Sequence, residues 1–254
     1  MKNLFPPRWV AFAAAAVMIA AAPTLSFADF ELKIDAFQGG SSIGSLTIMD
    51  NGAGDADSTP GRILFTGTGT FLAANNIDAL ISAFSNRTMS LPISQLQDAT
   101  ISLQNMSNTP TRILIQVSDT GFTTPGSSGT KLIMSSKLGI SSVGVGATTG
   151  IFQSFEDNGD VQFGHQNPTP AQIFAFPVPV PEEDLLLTRS GSYSLTSMFD
   201  LNMPANQILA AAFTGTTEMA VIPAPSNLLL LASVLPLLPL GLRFLRRQRG
   251  FPAA

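Results

Sequence analysis

The sequence predicts an all-β fold, a jelly-roll-like β-sandwich spanning residues 29–220. Three observations carry that expectation. Apolar and polar residues alternate with a period of two in short stretches, the pattern of strands that bury one face. Clusters of Gly, Asn, Asp, Ser and Pro separate these stretches at nearly regular spacing, as the turns of a two-sheet protein do. The stretch between Asp29 and Pro223 contains no cysteine, yet is long enough to build one core without covalent staples.

The elements follow in order. Leu32, Ile34 and Ala36 interleave with Glu31, Lys33 and Asp35, which makes a half-buried strand, and Gly39-Gly40 turns the chain. A second strand is expected at 45–49, a turn-rich loop at 50–61, and a third strand at 62–71 whose glycines suggest bulges. Ile77, Leu80, Ile81 and Phe84 recur at helical spacing, so 76–85 is expected to be a surface helix. Strands are expected at 98–103, 111–118 and 130–136. Residues 152–155 and 161–163 flank Asp157-Asn158-Gly159-Asp160, and Asn-Gly is a strong hairpin signal. Strands at 174–176, 192–199 and 207–213 complete the set. Pro177, Pro179 and Pro181 enforce an extended connection across one end of the sandwich, because proline cannot donate in a central ladder.

Both ends of the chain differ from its middle. Lys2 and Arg8 precede an apolar, Ala-rich stretch, and Ser26-Phe27-Ala28 places small residues before a boundary. Residues 1–28 are therefore expected to be a signal peptide cleaved after Ala28, in preference to a retained anchor, for which the apolar stretch is short. At the other end no ionisable side chain occurs from Met219 to Leu242, and Arg243, Arg246, Arg247 and Arg249 follow. About 20 helical residues cross a bilayer core. The apolar run meets that length if it starts near Val221 or if Arg243 snorkels towards the interface, and a transmembrane helix is expected at 226–245. Pro236 and Pro239 are better tolerated in such a helix than in a soluble one. A buried core helix would not end in four arginines, which should stay on the cytoplasmic side.

Between these ends, all seventeen acidic residues face only seven basic ones, a balance of −10. Such a domain has no electrostatic footprint for nucleic acid. It also repels anionic lipid and anionic polymer unless a divalent cation bridges them. The absence of cysteine removes thiol catalysis and thiolate metal sites.

The tail resembles a known family. Pro223-Ala224-Pro225, then Ser226-Asn227-Leu228, the Leu-rich run and the arginine cluster look like the sorting signal of PEP-CTERM proteins, the exosortase substrates of Gram-negative bacteria. Ala224 stands where that family usually has Glu. The resemblance implies that Pro223, Ala224, Pro225, Arg243, Arg246, Arg247 and Arg249 form the sorting motif. It further implies cleavage near the motif by a membrane-embedded, cysteine transpeptidase-like enzyme. The product is then released or attached outside the cell, often where exopolysaccharide is made. The body resembles a recurring cargo type of the same family in the stretches 48–55, 60–65, 117–122 and 193–196. The helical spacing at Ile77 departs from that type, in which the segment is strand-like.

Candidate chemistry is sparse. Asp50, Asp55 and Asp57 crowd one glycine-rich loop, and hard oxygen ligands on a flexible loop suit calcium. The spacing is not that of an EF-hand, and tight turns use the same residues. Asp157 and Asp160 are explained by the hairpin turn. Glu182-Glu183-Asp184 could supply half of a glycosidase carboxylate pair, with no partner evident. His165 is the only histidine, and Gly40-Ser41-Ser42-Ile43-Gly44 matches a Gly-x-Ser-x-Gly pattern. That elbow must join a strand to a helix, whereas a strand is expected to follow here. Trp9 is the only tryptophan and leaves with the signal peptide, which counts against sugar binding by aromatic stacking. The expected function is therefore a non-catalytic, exported cell-surface or matrix protein, first held in the membrane by its tail, with exopolysaccharide as the candidate partner outside the cell. A cation-dependent carbohydrate-binding module is the alternative, and a secreted hydrolase the second.

Overall fold

A computed structural model describes residues 30–87, 91–142, 148–175 and 180–222. The expected signal peptide, the helix at 226–245 and the sorting motif lie outside the described residues. Within the described residues, no helix is long and apolar enough to cross a membrane.

The fold is all-β, with two antiparallel sheets packed face to face. The strands are β1 (Phe30–Gln38), β2 (Ser41–Met49), β3 (Arg62–Thr66), β4 (Ile77–Ser85), β5 (Ser94–Asn105), β6 (Thr111–Phe122), β7 (Lys131–Ser142), β8 (Thr149–Asp157), β9 (Asn167–Pro168), β10 (Gln172–Ala175), β11 (Glu183–Thr188), β12 (Tyr193–Met203) and β13 (Ala211–Val221). One sheet runs β10-β8-β12-β6-β1-β2, with β9 added beside β8. The other runs β11-β7-β13-β5-β4-β3. The order β5-β13-β7-β11 stands opposite β6-β12-β8-β10, and the chain crosses between the sheets at most steps. Strands β1 and β2 widen the first sheet beyond β6, and β3 and β4 widen the second beyond β5.

Alternation drives the packing. Phe30, Leu32, Ile34 and Ala36 of β1 are buried, while Glu31, Lys33 and Asp35 face outwards. Phe152 of β8 and Phe199 of β12 tilt against each other at 4.5 Å, and Phe174 meets Phe213 at 5.3 Å. The rings close over Gly215 of β13, where a Cβ would come within 2.7 Å of both Phe152 and Phe199. A side chain at that position would push the sheets apart.

Three sequence expectations are corrected. Residues 76–85 are not helical: Ile77–Ser85 is strand β4, with Ile77, Ala79, Ile81 and Ala83 buried. Leu80, which completed the helical stripe, is exposed, and Phe84 lies beneath the Arg62 guanidinium at 5.8 Å. The small alanines hid a two-residue period behind a helical one. The expected strand at 62–71 stops at Thr66 and gives way to a single-turn helix, α1 (Phe71–Ala74), capped by the Thr70 hydroxyl accepting from the Leu72 N–H at 3.2 Å. Residues 161–163 form no strand after the Asn-Gly turn. Their donors go to β6 instead: the Phe163 N–H to Ser118 Oγ at 3.0 Å and the Gln162 amide to Ser118 O at 3.0 Å. Strand β8 finds its return partner later, in β9. Strand β11, which begins at Glu183 in the acidic run, had no strand expectation at all.

The interior is not wholly apolar. Ser154 Oγ lies 2.9 Å from Ser136 Oγ and 2.6 Å from Thr217 Oγ1, and Ser136 donates to Gln172 Oε1 at 3.3 Å. Asp98 on β5 is fully buried and accepts from the Ser197 hydroxyl of β12 at 2.6 Å. Among the described residues its Oδ1 has no hydrogen-bond partner. Burial pushes this carboxyl from 3.8 up to about 7, with Ser197 acting weakly the other way. A raised acid pKa means that the folded state holds the proton more tightly than the unfolded state. Stability therefore falls as pH rises from about 4 towards 7 and levels off above it. The loss at alkaline pH is at most about 4 kcal/mol. Denaturant midpoints measured from pH 5 to pH 8 should decline for the native chain. They should decline less for Asp98→Asn, which should be the more stable of the two at pH 8.

Candidate functional site

The loop between β2 and β3 holds the three aspartates singled out by sequence. Asp50 is buried and accepts from the Gly61 N–H at 2.7 Å and from the Asn51 amide at 3.0 Å. Gly61 has φ +78°, and a Cβ there would lie 2.8 Å from Ser85 O, so the close approach requires glycine. Asp55 accepts from three backbone N–H groups, those of Asn51, Asp57 and Leu64, each at 2.9 Å. Asp57 accepts from the Thr59 N–H at 2.9 Å. Burial raises the pKa of Asp50, and the nearby Asp55 and Asp57 charges add to the rise against the Gly61 and Arg62 N–H groups. Hydrogen bonds from Thr59 lower that of Asp57. The loop is thus fastened through its carboxylates. No group of three or more His, Asp or Glu side chains among the described residues is arranged to hold a metal ion. A calcium ion here would have to share oxygens already taken by backbone donors.

The remaining sequence candidates are scattered. His165 stacks on Phe155 at 4.2 Å, with its Nε2 3.0 Å from Gln116 Nε2. Burial lowers its pKa, and the Asp157 charge opposes the shift. Ser42 pairs with Phe37 on the far edge of the same sheet, whereas Gln116 pairs with Lys33. Four residues along a strand separate those rows, about 13 Å. The fold does not bring Ser42 and His165 together. Glu182 forms an ion pair with Lys137 at 3.3 Å, and Asp184 accepts from the Ser135 hydroxyl at 2.6 Å. Asp157 accepts from the Gly159 N–H at 2.7 Å, and Asp160 from the Gly121 N–H at 2.6 Å.

A site that sequence reasoning missed lies on the outer face of the first sheet. A hollow of about 730 Å³ opens beside the Gly39-Gly40 turn, lined by Phe37, Arg112, Thr149, Asn202 and Pro204 among others. Phe37, Arg112, Asn202 and Thr149 are cross-strand partners in one row over β1, β6, β12 and β8. The Arg112 guanidinium donates through Nε and Nη2 to the two carboxylate oxygens of Asp200, both at 2.7 Å, and lies 5.6 Å from the Phe37 ring centroid. The Asp200 hydrogen bond and charge raise the pKa of Arg112, against a smaller opposing effect of burial. The signal that could have found this row was the outward position of Phe37, Arg112, Asp200 and Asn202 in strands that sequence placed only partly.

No family model matches the chain, and no curated protein matches it by sequence. Among solved structures it is similar to the enzymatically active domain of tailspike protein 4 of bacteriophage CBA120, at 10% identity and a TM-score of 0.25. That match covers 56% of this chain and 18% of the tailspike chain.

The acidic loop yields a direct test of its role. Asp55→Ala strips acceptors from three backbone donors and should cost about 1–3 kcal/mol of stability. The fall in thermal midpoint should be the same with calcium and with a chelator. A difference between native and variant chains that appears only in calcium would assign the loop to the cation instead.

Proposed function

We propose that this chain is a non-catalytic, exported β-sandwich of the cell surface or extracellular matrix, delivered by a PEP-CTERM-type sorting tail. The observation that carries the reading is the fit between the folded unit and the expected processing points. The first described strand, β1, runs from Phe30, beyond Asp29, so cleavage after Ala28 would leave it whole. Strand β13 ends at Val221, two residues before Pro223. It pairs along its length with β5 and β7, so the last strand belongs to the middle of its sheet. Cuts at both points would leave every described strand in place. The side chains that sequence offered for catalysis are engaged in the fold or lie apart from one another, which also favours a non-catalytic role.

A second reading, a carbohydrate-binding module, is favoured by the hollow on the outer face, where polar groups and an aromatic ring share one row. The leading reading is tested by intact mass of the native protein from membrane and medium fractions. Loss of residues 1–28 and of the tail near Pro223 is expected, with the arginine cluster gone from the medium form. A full-length tail in both fractions would reduce it to an ordinary anchor.

A further inference from the structure

The row on the outer face carries an inference that rests on the carbohydrate reading and sharpens it. We propose that Phe37, Arg112, Asn202 and Thr149 bind a neutral oligosaccharide directly, with no bridging cation. The shape comes first. Four adjacent strands at about 4.8 Å spacing make a row about 14 Å long, open to solvent along one side. That suits a short chain molecule better than a compact ligand.

The polar groups decide the chemistry. The Asn202 side chain is exposed, and among the described residues neither its amide nor the Thr149 hydroxyl has a protein hydrogen-bond partner. Each can donate and accept. Arg112, which lines the hollow, is held on one edge by Asp200 and on its face by Phe37, and among the described residues its Nη1 donors have no hydrogen-bond partner. A fixed donor beside groups that both donate and accept matches hydroxyls, which also do both. A carboxylate or phosphate would use the donors alone and would meet Asp200 in a domain whose charge balance is −10. A base or other flat aromatic would need open ring faces, and Arg112 covers one face of Phe37. Pro110 and Pro204 at the rim offer apolar contact for the C–H faces of a sugar ring.

The test uses the full chain in detergent against immobilised gluco-, xylo-, manno- and galacto-oligosaccharides, with oligouronates alongside, in calcium and in EDTA. Binding to at least one neutral set in EDTA is expected. Asn202→Ala should weaken it about tenfold, the loss of one well-made hydrogen bond, without moving the thermal midpoint. Thr149→Val, which keeps the β-branched shape, should weaken it too. Neutral binding that survives both substitutions, or that disappears in EDTA, overturns this site but leaves the carbohydrate reading standing. Binding to oligouronates alone overturns the neutral class. If no oligosaccharide binds in either buffer, the carbohydrate reading falls as well.

Discussion

Phe152 and Phe199 from one sheet meet the bare backbone of Gly215 from the other, and that contact sets how closely the two sheets approach. The rest of the architecture depends on it. Strand β13 is flanked by β5 and β7, so moving it outwards would strain both ladders at once. The bulge between Phe213 and Gly215 against β5 lets Phe213 reach Phe174 and Phe199 while Gly215 passes beneath the rings. Interiors are packed close to crystal density, so a gap or a surplus methyl group at this junction is felt across the layer.

Beyond the rings the interior turns polar. Ser136, Ser154 and Thr217 bond among themselves, Gln172 reaches Pro181 O, and Asp98 leans on Ser197. A hydroxyl pair across the sheets costs little because each partner satisfies the other. Asp98 is different: a buried carboxylate with one hydrogen bond is costly when ionised, so the fold meets the cost by holding the proton. The two sheets are thus joined by apolar volume at one level and by directional bonds at the next. Directional bonds penalise a slipped register more sharply than greasy contact does.

Sequence made most of the strands legible because two-residue alternation is strong wherever large apolar residues occupy the inward positions, as in β1 and β6. It failed where alanine took those positions. In β4, Ala79 and Ala83 carried the inward stripe, and the larger Leu80 and Phe84 drew the eye to a helical period. It failed again at Asn158-Gly159, where the local turn signal was sound but the N–H groups of the following residues found their acceptors on Ser118 of β6 instead of on β8. Strand β11 was hidden because its acidic start and exposed Leu186 do not resemble a buried strand. The outer-face row was illegible for a geometric reason. Its members come from four strands far apart in sequence, and only the register brings them side by side.

The acidity of the domain has a structural origin that sequence composition alone obscures. Asp50, Asp55, Asp57, Asp157 and Asp160 each accept backbone N–H groups at or beside a tight turn. Lacking cysteine, the chain has no covalent means of pinning its long connections. A carboxylate that accepts two or three N–H groups does that work, since bonds to a charged acceptor are about twice as strong as neutral ones. Asp55 ties three points of a loop in this way, and Asp160 ties the turn after β8 to Gly121 at the end of β6. Fastening turns in this way accumulates negative charge one acceptor at a time. Turn chemistry thus accounts for five of the seventeen acidic residues behind the balance of −10. The same balance biases the outer face towards uncharged partners, since any anion approaching Arg112 must also approach Asp200.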